Sequence, residues 1–275
     1  MTIQSPPMGE QHAGQAVVEE LLRNHSTTPT RNAFGRIFGF SPLADDSISW
    51  YLGAVGEIAV GKILASLPPE WRAFHALPIG TKGSDIDHLV IGPGGIFTLN
   101  TKHHRGKAVW VGARTLMVSG HKLPHIRNAE SEASRVTKML QQRMPLLPAV
   151  QATVVVVSAK TLTIKTKPEL VKIVADTGLR RWLLSRPTIL DSSQLAELGA
   201  LINDPATWPV APLFPATENP MVVFAVLDRE VRTARFRNTA WRLFGILAGT
   251  TVAVFAGPPL VTAGMNLLIA GSANP

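Results

Sequence analysis

The sequence predicts an α/β protein: a mixed β-sheet flanked by helices, with its core elements in the order helix, three strands, helix, strand (αβββαβ). Three observations carry this reading. Residues 47–67 (SISWYLGAVGEIAVGKILASL) set apolar or small residues at Trp50, Ala54, Ile58, Gly61 and Leu64, a helical spacing that stops at Pro68-Pro69. Residues 86–91 (IDHLVI) and 96–102 (IFTLNTK) are β-prone runs on either side of Gly92-Pro93-Gly94-Gly95. So short a connection makes them antiparallel neighbours. Residues 153–157 (TVVVV) form an unbroken apolar run, the pattern of a strand buried on both faces.

Residues 1–15 hold no apolar run that could serve as a secretory signal, so the protein is expected to start inside the cell. Residues 26–42 mix Thr, Pro, Gly and Arg without periodicity, and 1–44 read as an N-terminal arm or linker in which Phe34, Ile37, Phe38 and Phe40 could dock. Asp45 and Asp46 stand where the first helix needs a cap. A strand is expected over 71–77 and a second hairpin from Trp110-Val111 and 115–118. Beyond these come a helix over 127–142, a further strand within 168–176 and a polar-capped helix over 192–203. A folded domain over 45–210 is then followed by a basic linker or helix (211–242) and a hydrophobic segment (243–275).

The last segment has no Asp, Glu, Lys, Arg or His. A bilayer core of about 30 Å needs about 20 helical residues. Neither apolar run, before or after Gly257-Pro258-Pro259, reaches that length alone, but together they would span. A re-entrant hairpin turning at 257–259, or two helices buried in a soluble core, are the alternatives. Arg229, Arg232, Arg235, Arg237 and Arg242 precede the segment as a cytoplasmic flank should. The location expected is therefore the cell membrane, with the main domain cytoplasmic; a cytoplasmic protein is the alternative.

Among 275 residues, 27 Lys and Arg outnumber 19 Asp and Glu, for a net charge of +8 and a pI near 10.2. That excess favours polyanionic partners, nucleic acid or an anionic membrane face, and is equally what a merely soluble basic protein would carry. The absence of cysteine excludes disulfide scaffolds, thiolate zinc sites, iron–sulfur clusters and cysteine nucleophiles.

Chemistry concentrates on the central hairpin. Alternate side chains of a strand share a face, so Asp85 and Asp87 point one way, as do Asn100 and Lys102 on the next strand. One reading is a cross-strand Asp87–Lys102 salt bridge at the sheet edge. The other adds Glu57, in the middle of a helix face made of Gly53, Ala54, Gly56 and Gly61 that can lie close to a sheet. A glutamate there is costly to bury without a cation or donor. Two carboxylates and a carbonyl-type oxygen make a hard oxygen site suited to Mg²⁺ or Mn²⁺, and an adjacent lysine can orient an attacking water. His103, His104, Arg105 and Lys107 follow directly as a basic loop, either solvated or holding phosphates. His88, on the opposite strand face from Asp87, reads as a packed histidine, and His121, His125, Glu130 and Glu132 show no convincing metal-ligand spacing.

The series GAVGEIAVGKIL, DIDHLVIGPGGIFTLNTKHHRGK and TVVVV, with the tail RRWLLSRPTILDSSQLAELGALINDPATW, resembles the nuclease-related domain (NERD) family of the PD-(D/E)XK nuclease superfamily, over residues 45–208. The resemblance implies a restriction-endonuclease-like core and a metal-dependent hydrolysis of phosphodiester bonds in DNA or RNA. Glu57 would be the helix acid, Asp87 the first metal-binding aspartate, the Thr101 carbonyl a further ligand and Lys102 the lysine of the (D/E)-x-K element. Asn100 stands where that element has an acid, and Asp85 is a candidate to compensate. Because an amide brings no charge to a metal, a fold that binds nucleic acid or a partner without cutting is the alternative. A homodimer, as many relatives of the fold form, is left open.

Overall fold

The computed structural model describes residues 7–26, 31–80, 85–208 and 219–271, the side chains of 248–249 and 251–271 excepted. They belong to two units, Met1–Ser26 with Asp45–Met221, and Thr27–Ala44 with Val222–Pro275. In chain order the elements are α1 (Gln15–His25), α2 (Ala33–Phe38), α3 (Ser47–Leu64), β1 (Arg72–Pro78), β2 (Asp85–Gly92), β3 (Gly95–His103), β4 (Ala108–Val111), β5 (Leu116–Val118), β6 (His121–Leu123), α4 (His125–Gln141), β7 (Gln151–Val157), β8 (Thr161–Ile164), β9 (Val171–Ala175), α5 (Asp176–Leu184), α6 (Ser192–Asn203) and α7 (Pro220–Gly271).

The first unit is built on a five-stranded mixed sheet in the order β1-β2-β3-β7-β9. The β1–β2 and β2–β3 pairs are antiparallel, and β3, β7 and β9 are parallel. Alternation along the strands sorts side chains into two apolar layers. One face gives Val90, Phe97, Leu99, Val155 and Val157 to Val60 and Leu64 of α3 and to Leu179 and Leu183 of α5. The other gives Leu89, Ile91, Ile96, Val154 and Val156 to α4, whose residues Ile126, Ala129, Ala133, Val136 and Leu140 repeat at helical spacing. The expected helix–hairpin–helix–strand core is therefore present. Gly95, with φ of 124°, closes the β2–β3 turn in a conformation that L side chains rarely adopt.

A single sheet was expected, and there are two. Between β3 and α4 the chain builds β4, β5 and β6, which join β8 in a four-stranded sheet of order β6-β5-β4-β8. The hairpin read at 110–118 lies here. β6 and β8 left no trace in the pattern because they are short and mostly exposed, so no alternation marks them. Other boundaries moved by a few residues: α3 stops at Leu64, and Asp46 sits at its N-cap without bonding a helix N–H. In α6, Asp191 and Gln194 form a reciprocal capping box, with bonds of 2.8 and 3.0 Å. Residues 15–25, inside the expected arm, form α1, which buries Val18 and Leu21 and packs on α3.

In the second unit, Asn32 caps α2 through Gly35 N at 2.8 Å. α2 lies along α7, held by Trp241 Nε1 donating to the Ile37 carbonyl at 3.1 Å and by the Arg31–Glu230 ion pair at 2.6 Å. Phe38 docks on the Trp241 ring, while Phe34, Ile37 and Phe40 stay exposed. α7 remains helical through residues 257–259, where a turn was the re-entrant alternative. Among the described residues no helix is long and apolar enough to cross a membrane. From residue 251 onward the side chains of the segment expected to do so lie outside the described set, as do residues 209–218, which hold the expected 210/211 boundary.

Candidate active site

The β2–β3 ladder runs from the Gly92–Gly95 pair to His88–Leu99 and stops there. In the same register the next pairs would be Asp87 with Asn100 and Asp85 with Lys102, and it is these residues that the opening sets free. Asp87 turns its carboxylate to the backbone instead: Oδ2 accepts the Thr101 N–H at 2.6 Å. Among the described residues no ion pair closes between Asp87 and Lys102, so the salt-bridge alternative gives way to a backbone hydrogen bond. In an extended strand the N–H and C=O of one residue point to the same edge. The Thr101 carbonyl therefore faces the edge on which Asp87 lies.

Glu57 reaches this opening from α3. The helix comes close because Gly56 has no side chain; a Cβ there would lie 3.1 Å from the His103 Cβ and 3.4 Å from the Thr101 Cγ2. Glu57 is only 6% exposed. Burial pushes its carboxyl well above the usual carboxylate range, Asp87 and Asp85 push the same way, and Lys102 opposes them. Asp87 is also raised, by burial, although Lys102 and the Thr101 N–H favour its ionised form. Asp85 is pushed up to about 6 by burial, Asp87 and Glu19. These effects link Glu57 electrostatically with Asp87, Lys102 and Asp85.

Asn100 is 5% exposed and points toward α4, where its Nδ2 donates to Glu132 Oε1 at 2.7 Å. Its own Oδ1 and Glu132 Oε2 are buried and meet no donor. Burial pushes the Glu132 carboxyl up to about 7; the Asn100 bond and Lys102 lower it and Asp87 raises it. Glu132 is the residue that sequence reasoning passed over. A signal was there: Glu132 lies three residues after Ala129 and one before Ala133, at the margin of the buried stripe of α4, where a glutamate is as unexpected as Glu57 among glycines.

The basic loop divides in two. Arg105 and Lys107 are exposed, Arg105 bridging to Ala159. His103 and His104 are half-buried, and His104 stacks on His125, the first residue of α4, with ring centroids 5.7 Å apart. Burial, with Lys107 and Lys102 nearby, lowers His104 to about 4, and burial with Lys102 and His104 does the same to His125. Both rings are neutral at pH 7. On the opposite sheet face His88 is fully buried and shares an Nδ1···Nδ1 hydrogen bond of 2.8 Å with His75, the packed role expected of it.

Residues 52–159 match the family model of the nuclease-related domain. No curated protein and no solved structure matches the chain. The matched span is narrower than the 45–208 of the sequence resemblance, yet it contains Glu57, Asp87, Asn100, Thr101, Lys102 and Glu132, the opening of the hairpin, all of α4 and most of α3. Over residues 52–159 the chain is thus similar to the nuclease-related (NERD) domain, a family assigned to the PD-(D/E)XK nuclease superfamily.

Proposed function

We propose that the domain hydrolyses phosphodiester bonds in nucleic acid, DNA or RNA, with a divalent cation, Mg²⁺ or Mn²⁺, at the open end of the β2–β3 hairpin. The observation that carries this is the Asp87 carboxylate fixed by the Thr101 N–H at 2.6 Å, at the point where the ladder ends, inside a cluster that also contains Glu57 and Lys102. Among the described residues no three His, Asp or Glu side chains stand close enough to hold a metal ion by themselves. The donor chemistry fits a hard cation once neutral oxygens are counted: Asn100 Oδ1 is buried without a donor, and the Thr101 carbonyl faces the same edge as Asp87. Glu57, Asp87, Asn100 and the Thr101 carbonyl would hold it. When bound, the cation would polarise a phosphate oxygen and ease deprotonation of a water.

The side chains supply the rest. Lys102 orients the attacking water and offsets negative charge gathering on the phosphate. Burial raises the proton affinities of Glu57 and Asp87, so a cation held there would compete with protons for the same oxygens. Arg105 and Lys107, exposed beside the opening strand, take phosphates of the substrate. The test is cleavage of labelled single-stranded and duplex DNA and RNA by the full chain with Mg²⁺, with Mn²⁺ and with chelator, wild type beside Asp87→Ala. Metal-dependent cleavage that vanishes in Asp87→Ala is the expected result.

One observation favours a second reading. Asn100 brings an amide where the family's element has an acid, and salt-sensitive nucleic-acid binding in both proteins without cleavage would make this a binding domain. For location we propose the cytoplasmic side of a membrane. Support comes from exposed Phe236, Leu243, Phe244, Ile246 and Leu247 interleaved with Arg235, Arg237 and Arg242 on α7. Failure of the chain to sediment with anionic vesicles would refute it.

A further inference from the structure

The Asn100–Glu132 pair does more than join a strand to a helix. A structural tie between β3 and α4 accounts for Nδ2 and Oε1, which bond each other at 2.7 Å. It leaves Asn100 Oδ1 and Glu132 Oε2 buried with no donor. Burying two acceptor oxygens unsatisfied is costly, and native structures rarely tolerate it without a water or an ion to meet them. Asn100 is 95% buried by its 5% exposure, so bulk water does not serve its oxygen. The two oxygens lie on groups already bonded to each other, one of them able to carry a full negative charge, and both Asp87 and Lys102 act electrostatically on the same Glu132 carboxyl.

Resting on the reading of this cluster as a cation site, we propose that Glu132 supplies from α4 the carboxylate that β3 lacks at Asn100. Asp87 and Glu132 then bring the charge to a divalent cation, while Asn100 serves as a positioning residue that holds Glu132 through Nδ2 and offers Oδ1 as a neutral ligand. The change of residue in the (D/E)-x-K element is on this view a relocation of the acid to a neighbouring element and not its loss. The helix can take over the role because α4 packs against β3 on the face that Asn100 shares with Lys102.

The test is Mn²⁺ binding by the full chain, followed by titration calorimetry, with melting temperature as the check on folding. Glu132→Gln keeps the shape and removes the charge; it is expected to weaken Mn²⁺ binding by about tenfold or more. The double variant Asn100→Asp/Glu132→Gln inverts donor and acceptor while conserving the charge, and is expected to return the affinity to within about threefold of wild type. Glu130→Gln, on the same helix, should leave it unchanged. Wild-type affinity in Glu132→Gln, with binding lost in Asp87→Ala, overturns the role of Glu132 and leaves the cation site standing. No Mn²⁺ uptake by the wild type overturns both. Should Glu132→Gln fail to fold, the double variant decides: a folded double variant that binds Mn²⁺ supports the relocation, and one that takes up none overturns it.

Discussion

From the turn at Gly92–Gly95 to the His88–Leu99 pair, β2 and β3 stay in register, and Leu89, Val90, Ile91, Ile96, Phe97 and Leu99 pass into one or other of two apolar layers. Past that pair the same two strands carry Asp85, Asp87, Asn100 and Lys102, the ladder ends, and a carboxylate takes a backbone N–H that no partner strand claims. The closed end spends its backbone on stability; the open end leaves backbone and side-chain oxygens for chemistry. On the proposed function, stability and chemistry are divided along one hairpin within a few residues, and substitutions at the two ends should fail in different ways.

The largest effect belongs to the open end. Asp87→Asn retains an oxygen to accept the Thr101 N–H but loses the charge, and is expected to lower metal-dependent cleavage about 1,000-fold or more, roughly 4 kcal/mol of barrier. Its stability in chelator at pH 8 should be no lower than wild type. A carboxyl whose pKa folding raises contributes stability only below its unfolded pKa and has lost that contribution once pH exceeds the folded one, so an amide relieves a strained charge. Leu99→Ala, at the closed end, should do the reverse. Leu99 is fully buried, and a truncation there costs about 2–5 kcal/mol in denaturant unfolding, with cleavage per folded molecule within a few-fold of wild type. If the folded Leu99 variant loses cleavage as Asp87→Asn does, the two ends are not separable.

The closed end was legible in the sequence because its two signals are local: the glycine-rich turn fixes the connection, and apolar alternation fixes the faces. Half of the open end was legible for the same reason, since alternation alone puts Asp85 with Asp87 and Asn100 with Lys102, and Glu57 stands out among small residues. What pattern could not reach was Glu132. It lies 32 residues downstream of Asn100, on a helix that follows three strands outside the main sheet, and only the packing of α4 decides which sheet position it meets. The second sheet escaped notice because β6 and β8 are too short and exposed to show a period.

A pH series sharpens the comparison between the two faces of the opening. Glu132 is pushed up to about 7 by burial, so its protonated form stabilises the fold below about 4.5 and that contribution is lost as pH rises through about 7. In chelator, wild type should therefore lose up to about 3 kcal/mol relative to Glu132→Gln between pH 5 and pH 8. The His75–His88 pair on the other face runs the opposite way. Burial lowers His75 to about 4 and holds His88 well below its usual value, so their contribution is present above about 6.5 and is lost as pH falls. A Glu132 variant with the same pH profile as wild type would remove Glu132 from the titrating cluster.

The smallest effect concerns the loop beyond β3, where sequence alone makes His103, His104, Arg105 and Lys107 a run of equal cations. Burial does not treat them equally. Arg105 and Lys107 stay in solvent, whereas His104 lies stacked on His125 with its pKa lowered to about 4 and carries no charge at pH 7. Each exposed cation that neutralises a phosphate should contribute about one unit to the slope of log affinity against log salt. Arg105→Ala and Lys107→Ala are thus each expected to flatten that slope by about one unit and to weaken binding of a short duplex by a few-fold at about 0.1 M salt. His104→Ala should leave the slope at its wild-type value at pH 7. A slope that drops for His104→Ala as it does for Arg105→Ala would mean that the ring meets phosphate as imidazolium, which requires the substrate to pull it out of its stack and raise its pKa by about three units.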